Sequence, residues 1–276
     1  MKFIYLSFIL PLVLFPLDKN IFFKNQLTEK NLKTIEEDFL KSDVLVIGEE
    51  HDDKIGHQFK LELIQFLSSK TDLSISMEMF ETDQQIVLNE YLNGFIDEKT
   101  FQNDIKLWEN YLDYKPIIEF AKEKKIPVIA ANAPRRYVRI LSRKGFSEIE
   151  KLPMESKKYL PSLYMIDSFK DKNYEKKISE SMSAHGKMSE QILNQMILAQ
   201  HLWDASMSEQ IYKFRQNKKI IHINGRFHSD NKMGVVYRLE KMGLKVLTIS
   251  IVKNESDAKL DLADYVIITS DNSIKQ

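Results

Sequence analysis

The chain contains no cysteine. That excludes a disulfide framework, a thiolate metal site and a cysteine nucleophile, and it leaves no residue for lipidation at an N-terminal cysteine. Glycine and proline are sparse, at 8 and 7 of 276 residues, and neither a low-complexity linker nor an internal repeat is present. An excess of charge of one sign is also lacking, because 40 basic residues balance 40 acidic ones. This neutrality removes the electrostatic footprint of a general nucleic-acid binder. The local basic runs, Lys122 to Lys125 and Lys218-Lys219, read as solvated helix ends ahead of strands. Familiar signatures are missing as well: a Gly-rich phosphate loop, an H-E-x-x-H helix, a G-x-S-x-G elbow and a dinucleotide fingerprint.

What is present suits one large domain over residues 21–269, followed by a polar tail over 270–276 that is expected to fray. Apolar residues make up 43%, enough for a sizeable core, and 29% are charged. The one long hydrophobic run is FIYLSFILPLVLFPL, residues 3–17 behind Lys2. It is shorter than the roughly 17–25 residues of a membrane span, and Pro11 and Pro16 disfavour a spanning helix. No small-x-small cleavage site precedes Asp18, Lys19 and Asn20. Residues 1–20 therefore read as a signal peptide or a short N-terminal anchor, both of which imply export to the periplasm or a membrane surface.

Short β-branched runs then alternate with longer amphipathic stretches. The runs are Val44 to Ile47, Leu73 to Met79, Pro127 to Ala131, Lys219 to Asn224, Leu244 to Ile251 and Asp264 to Thr269. Their continuous apolar character suits strands covered on both faces. Between them, Phe59, Leu63, Phe66 and Leu67 share one helix face, and Thr82 with Gln85 forms a capping-box pattern ahead of Ile86 and Leu92. Met188 to Gln216 reads as one long helix. The fold class is α/β, a mostly parallel sheet flanked by helices, with a helical insertion over the middle third, about residues 95–187.

One pattern occurs twice. Val44 to Ile47 runs into Gly48-Glu49-Glu50-His51, and Lys219 to Asn224 runs into Gly225-Arg226-Phe227-His228. In each, glycine is expected to let the chain turn off the sheet and deliver a histidine to its C-terminal rim, where open α/β sheets bind ligands. Two loop histidines without a shared role are the alternative. Glu78, near the end of a strand and flanked by Met77 and Met79, needs a partner if buried, or else caps the helix near Thr82. If the strand ends are neighbours, Glu49, His51, Glu78 and His228 converge as two imidazoles and two carboxylates, a set that suits zinc, manganese or iron. Asp52 and Asp53 read as helix caps, and His57 follows in the first turn. His185 either faces the site or is a plain loop residue, while His201 and His222 read as structural. After Asn132, Arg135 and Arg136 are either surface residues or partners for an anionic ligand such as a propionate.

The runs Gly48-Glu49-Glu50-His51-Asp52-Asp53 with His57, and Met77-Glu78-Met79-Phe80 with Gln84 and Gln85, resemble the ChaN-like haem-binding uptake proteins. The likeness continues through Trp108, Tyr114-Lys115-Pro116 and Ile126 to Arg135, resumes at Ala199 to Met207, and ends in Gly225 to His228 with Gly234-Val235. That family belongs to a wider superfamily with Tiki proteases, TraB proteins and erythromycin esterases. The resemblance implies an extracytoplasmic haem-binding protein associated with haem or iron uptake, holding haem at a dimer interface. It also implies descent from enzymes that use the Gly-x-x-His histidines and nearby glutamates for hydrolysis. Two features depart from the family. No cysteine is available for its usual lipidation, and Ser183-Ala184-His185-Gly186-Lys187 lacks the His-Cys-Gly run of many relatives.

Two functions follow. As a carrier, the chain would bind haem through an axial His or Tyr, with His51, His57, His185 and the neighbourhood of Tyr137 or Tyr164 as candidates and Arg135 or Arg136 for the propionates. As a metal-dependent hydrolase, it would use Glu49, His51, Glu78 and His228 to hold a metal or polarise water, with one glutamate as general base.

Overall fold

The computed structural model describes residues 21–23, 27–183, 189–216 and 218–270. The β-branched runs form strands β1 (Ile21–Phe23), β2 (Val44–Glu49), β3 (Leu73–Glu81), β4 (Val128–Asn132), β5 (Lys219–Gly225), β6 (Val246–Val252) and β7 (Tyr265–Ile268). Every pairing is parallel, and the order across the sheet is β1-β7-β6-β2-β5-β3-β4. Alternation explains why the strands are apolar throughout. Leu45 and Ile47 of β2 join one core cluster, whereas Val44 and Val46 join another on the opposite face. Three strands reach further toward the C-terminal rim than their apolar runs predict: β2 takes in Gly48 and Glu49, β3 ends at Glu81, and β5 takes in Gly225. The three-residue β1, which pairs with β7, has no sequence signal of its own.

Helices connect the strands. After β1 comes α1 (Glu29–Lys41), and α2 (Lys54–Ser68) links β2 to β3. Then follow α3 (Gln85–Leu92), α4 (Glu98–Asp104) and α5 (Tyr111–Lys124). Beyond β4 lie α6 (Arg135–Lys144), α7 (Phe146–Glu150), α8 (Met154–Lys157), α9 (Leu163–Ser168), α10 (Lys172–Ser183) and α11 (Glu190–Phe214). The last, α12 (Val235–Lys241), precedes β6. Residues of α1, α2, α3 and α5 pack on one face of the sheet, and those of α11 and α12 pack on the other. Among the described residues, the middle third is thus a run of helices interrupted by the single strand β4.

Two capping expectations are corrected. The capping box forms one residue earlier than Thr82–Gln85, between Glu81 and Gln84, where the Glu81 N–H donates to Gln84 Oε1 at 2.8 Å. Gln85 serves the sheet instead: its Nε2 donates to Val128 O and its Oε1 accepts from Ala130 N, so its amide stands in for a strand against β4, which lies at the sheet's edge. Asp53 holds the N-cap position of α2 without a capping hydrogen bond, and its carboxylate accepts from Thr269 Oγ1 at 2.6 Å. Asp52 is an exposed partner of Lys253 at 2.7 Å.

Candidate functional site

Because β5 lies between β2 and β3, the ends of all three strands meet at one rim. Glu49 stands opposite Gly225 in the β2–β5 register. His51 follows two residues later, Glu78 comes from β3, and His228 closes the 3-10 turn that leaves β5. The glycines of the repeated pattern act differently from the turn-formers expected of them. Both lie within strands, and Gly225 has an ordinary φ of −61°. What they provide is room. A Cβ on Gly48 would lie 2.5 Å from Ser229 Oγ, and one on Gly225 would lie 2.7 Å from His51 Nε2.

Glu49 turns into the protein. It forms an ion pair with Lys60 of α2, and both side chains are buried. The Tyr114 hydroxyl donates to Glu49 Oε1 at 2.5 Å. Burial pushes that phenol up from its ordinary value, which keeps it a neutral donor. His51 Nδ1 lies 3.1 Å from Glu49 Oε1 and 3.1 Å from the Tyr114 oxygen. Since Tyr114 spends its proton on Glu49, His51 Nδ1 carries hydrogen and Nε2 keeps its lone pair. Burial also lowers the His51 pKa, against the raising effect of Glu78, so the ring is neutral near pH 7.

Below this pair, His57 Nε2–H donates to the His51 carbonyl at 2.9 Å, and His57 Nδ1 accepts from Lys60 Nζ at 3.0 Å. Asn110 donates to the same carbonyl at 2.7 Å. Burial drives Lys60 well below the ordinary lysine value, so a charged Lys60 depends on the Glu49 carboxylate.

His228 has the opposite character. Its Nδ1 donates to Asp204 Oδ1 of α11 at 2.6 Å, and Nε2 lies 3.6 Å from Glu78 Oε1. Glu78 is fixed in turn by the Gly225 N–H, which donates to Oε2 at 2.7 Å. Burial would depress this imidazole, but Glu78 and Asp204 outweigh it and push the pKa up to about 9. His228 is therefore a cation held between two carboxylates. Of the two motif histidines, only His51 offers a lone pair.

Beside these groups opens a cleft of about 380 Å³ lined by Glu78 and His228, by Trp108, Val138, Ala199 and Trp203, and by Asn132, Arg135, Arg139 and Ser142. Trp108 stands edge-on to His51 at 4.9 Å between ring centroids, and the His51 side chain is 42% exposed. This volume lies within the ~300–1,000 Å³ usual for small-ligand sites.

The structure thus brings Glu49, His51, Glu78 and His228 to one rim, with Arg135 at the cleft. They do not share a focus: among the described residues no group of three or more histidines and carboxylates is placed to hold a metal ion. His57 lies beneath His51, away from the cleft lining. Tyr137 is buried among the helices around α6, and Tyr164 is exposed on α9. His185 and the N-terminal segment 1–20 lie outside the described residues, as does the tail beyond residue 270. His201 and His222 are buried and hydrogen-bonded, His201 to Glu175 at 3.0 Å and His222 to Ser76 at 2.9 Å.

Sequence reasoning missed Lys60 and the role of Asp204. A signal for Lys60 was available, since it falls on the apolar stripe of α2 with Phe59, Leu63, Ile64 and Leu67.

Residues 35–239 match the model of the family described as haem-binding uptake, Tiki superfamily, ChaN. The chain belongs to this family. Among solved structures, this ChaN-family chain is similar to one described as cofacial haem binding to ChaN of Campylobacter jejuni, with a TM-score of 0.67 at 16% identity over 87% of this chain and 91% of that one. A Bacillus cereus protein of known structure gives a TM-score of 0.50 at 14% identity, over 86% of this chain and 72% of that one. At such identities the likeness is one of fold. Of curated proteins, RETICULATA-RELATED 5, chloroplastic, of Arabidopsis thaliana is 24% identical over 144 residues, 48% of this chain but 19% of the plant protein. The ChaN-family chain therefore matches about a fifth of that relative's length.

Proposed function

We propose that this ChaN-family chain binds haem beside the β2–β5–β3 rim, with His51 Nε2 as the axial ligand of the iron, in the service of haem or iron uptake outside the cytoplasm. The observation that carries the proposal is the His51 tautomer: Glu49 and Tyr114 occupy Nδ1 and leave the Nε2 lone pair unclaimed by any hydrogen bond among the described residues, on a side chain that is partly exposed. A neutral imidazole backed by a carboxylate is a good iron donor, because the second shell fixes its orientation and raises its basicity. The apolar and aromatic lining of the cleft suits a porphyrin, and the half-exposed Arg135 suits a propionate. When bound, haem supplies the iron, and the protein supplies the ligand, the apolar wall and the counter-charge.

The cofacial binding described for the Campylobacter protein supports a further element, haem held at the interface of a homodimer. Export directed by residues 1–20, cleaved or kept as a membrane attachment, belongs to the same proposal.

A haemin titration followed at the Soret band, with metal analysis of the same preparation, tests it. Saturable binding is expected in the unmodified protein, weakened by tenfold or more in His51→Ala and little changed in His228→Gln. Unaltered binding in His51→Ala removes the ligand assignment.

A second reading has one observation in its favour. His51 and His228 each have Nδ1 bound to a carboxylate with Glu78 between them, an arrangement of oriented acid and base groups that suits hydrolysis. Under it, Glu49→Gln abolishes turnover and leaves ligand binding intact. The absence of any saturable Soret change, with bound zinc, manganese or iron lost in His51→Ala or His228→Ala, would favour this second reading.

A further inference from the structure

We propose that the cleft selects ligands carrying a free carboxylate, and that Arg139 recognises that group. The inference rests on the haem reading and moves the principal propionate contact from Arg135 to Arg139.

Helix α6 places Arg135, Val138, Arg139 and Ser142 along the cleft, at the spacing that puts residues on one helical face. Its first two arginines already have acidic neighbours. Arg135 Nε lies 4.0 Å from Glu81 Oε1, and Arg136 forms an ion pair with Asp83. The Arg139 guanidinium has neither an ion pair nor a hydrogen bond among the described residues, although it lines the same cleft. A planar fork of donors without an acidic partner matches a carboxylate bidentately, which an ammonium does not.

Asn132, 8% exposed, lies on the same lining, but its unpartnered Oδ1 is an acceptor and takes no part in binding a carboxylate. Glu78, on the same lining, repels an anion and is already matched by His228. The carboxylate end of the ligand therefore belongs on the α6 side, with the apolar body against Trp108 and Trp203.

The test compares haemin with its dimethyl ester, the same iron porphyrin without carboxylates, on the full chain and on Arg139→Gln and Arg139→Lys. The unmodified protein is expected to prefer haemin by about tenfold or more, the effect of one charge-assisted contact. Arg139→Gln should lose most of that preference by weakening haemin alone, and Arg139→Lys should retain part of it. Equal binding of haemin and ester by the unmodified protein overturns the proposal while leaving the haem reading standing, as does a preference that survives Arg139→Gln. No saturable Soret change with either porphyrin removes the haem reading itself, and the proposal with it.

Discussion

Asp204 and Glu78 approach opposite nitrogens of His228, at 2.6 and 3.6 Å, and keep the ring protonated to about pH 9. In the unfolded chain the same side chain titrates near pH 6.5. A base whose folded pKa is raised stabilises the fold fully below its unfolded pKa, and this contribution is lost as pH rises through the folded value. The free energy of unfolding should therefore fall between about pH 6.5 and 9, by at most about 3 kcal/mol on the linkage relation. Urea unfolding at pH 6, 7.5 and 9.5 checks this: the slope should be absent in His228→Gln, and an unchanged slope there would refute the assignment.

Lys60 makes a second prediction at this scale. Lys60→Met leaves Glu49 buried without its counter-ion and should cost about 3–5 kcal/mol. Adding Glu49→Gln removes the stranded charge and should recover most of the loss in the same assay. Lys60 was hard to read from the sequence because a lysine is normally assigned to the solvated face. Only its place on the apolar stripe of α2 marked it out.

At the scale of elements, the strands and the two Gly-x-x-His turns were legible, because apolar runs covered on both faces leave few alternatives to a parallel sheet. Less legible was why glycine stands there. Its conformational freedom suggested a turn, whereas the physical requirement is close approach: the segment Arg226–Ser229 crosses Gly48, and the His51 ring lies against Gly225. Gly225→Ala should leave the backbone unstrained, since φ is −61°, and displace His51 instead. Haemin affinity should drop markedly while the far-ultraviolet circular dichroism is retained; full affinity in this variant would contradict the packing described. The capping box shifted by one residue because Gln85 had a better use against the edge of β4. Local pattern cannot register a competitor so distant in sequence.

For the whole molecule, the parallel class followed from the alternation of elements, but the strand order did not. Nothing in the local sequence tells β5 to pass β4 and settle between β2 and β3. The relation of the four rim residues, two turned toward different carboxylate partners, depends on that insertion and was legible only as a conditional convergence. The order has a consequence for biosynthesis. When β2 and β3 have been made, the strand that joins them lies nearly half the chain further on, beyond the helices of the middle third and α11. Until it arrives, the facing edges of β2 and β3 are unpaired templates, open to wrong partners. The rim closes late, so a nascent chain cannot engage its ligand until β5 has joined β2 to β3 and covered their facing edges.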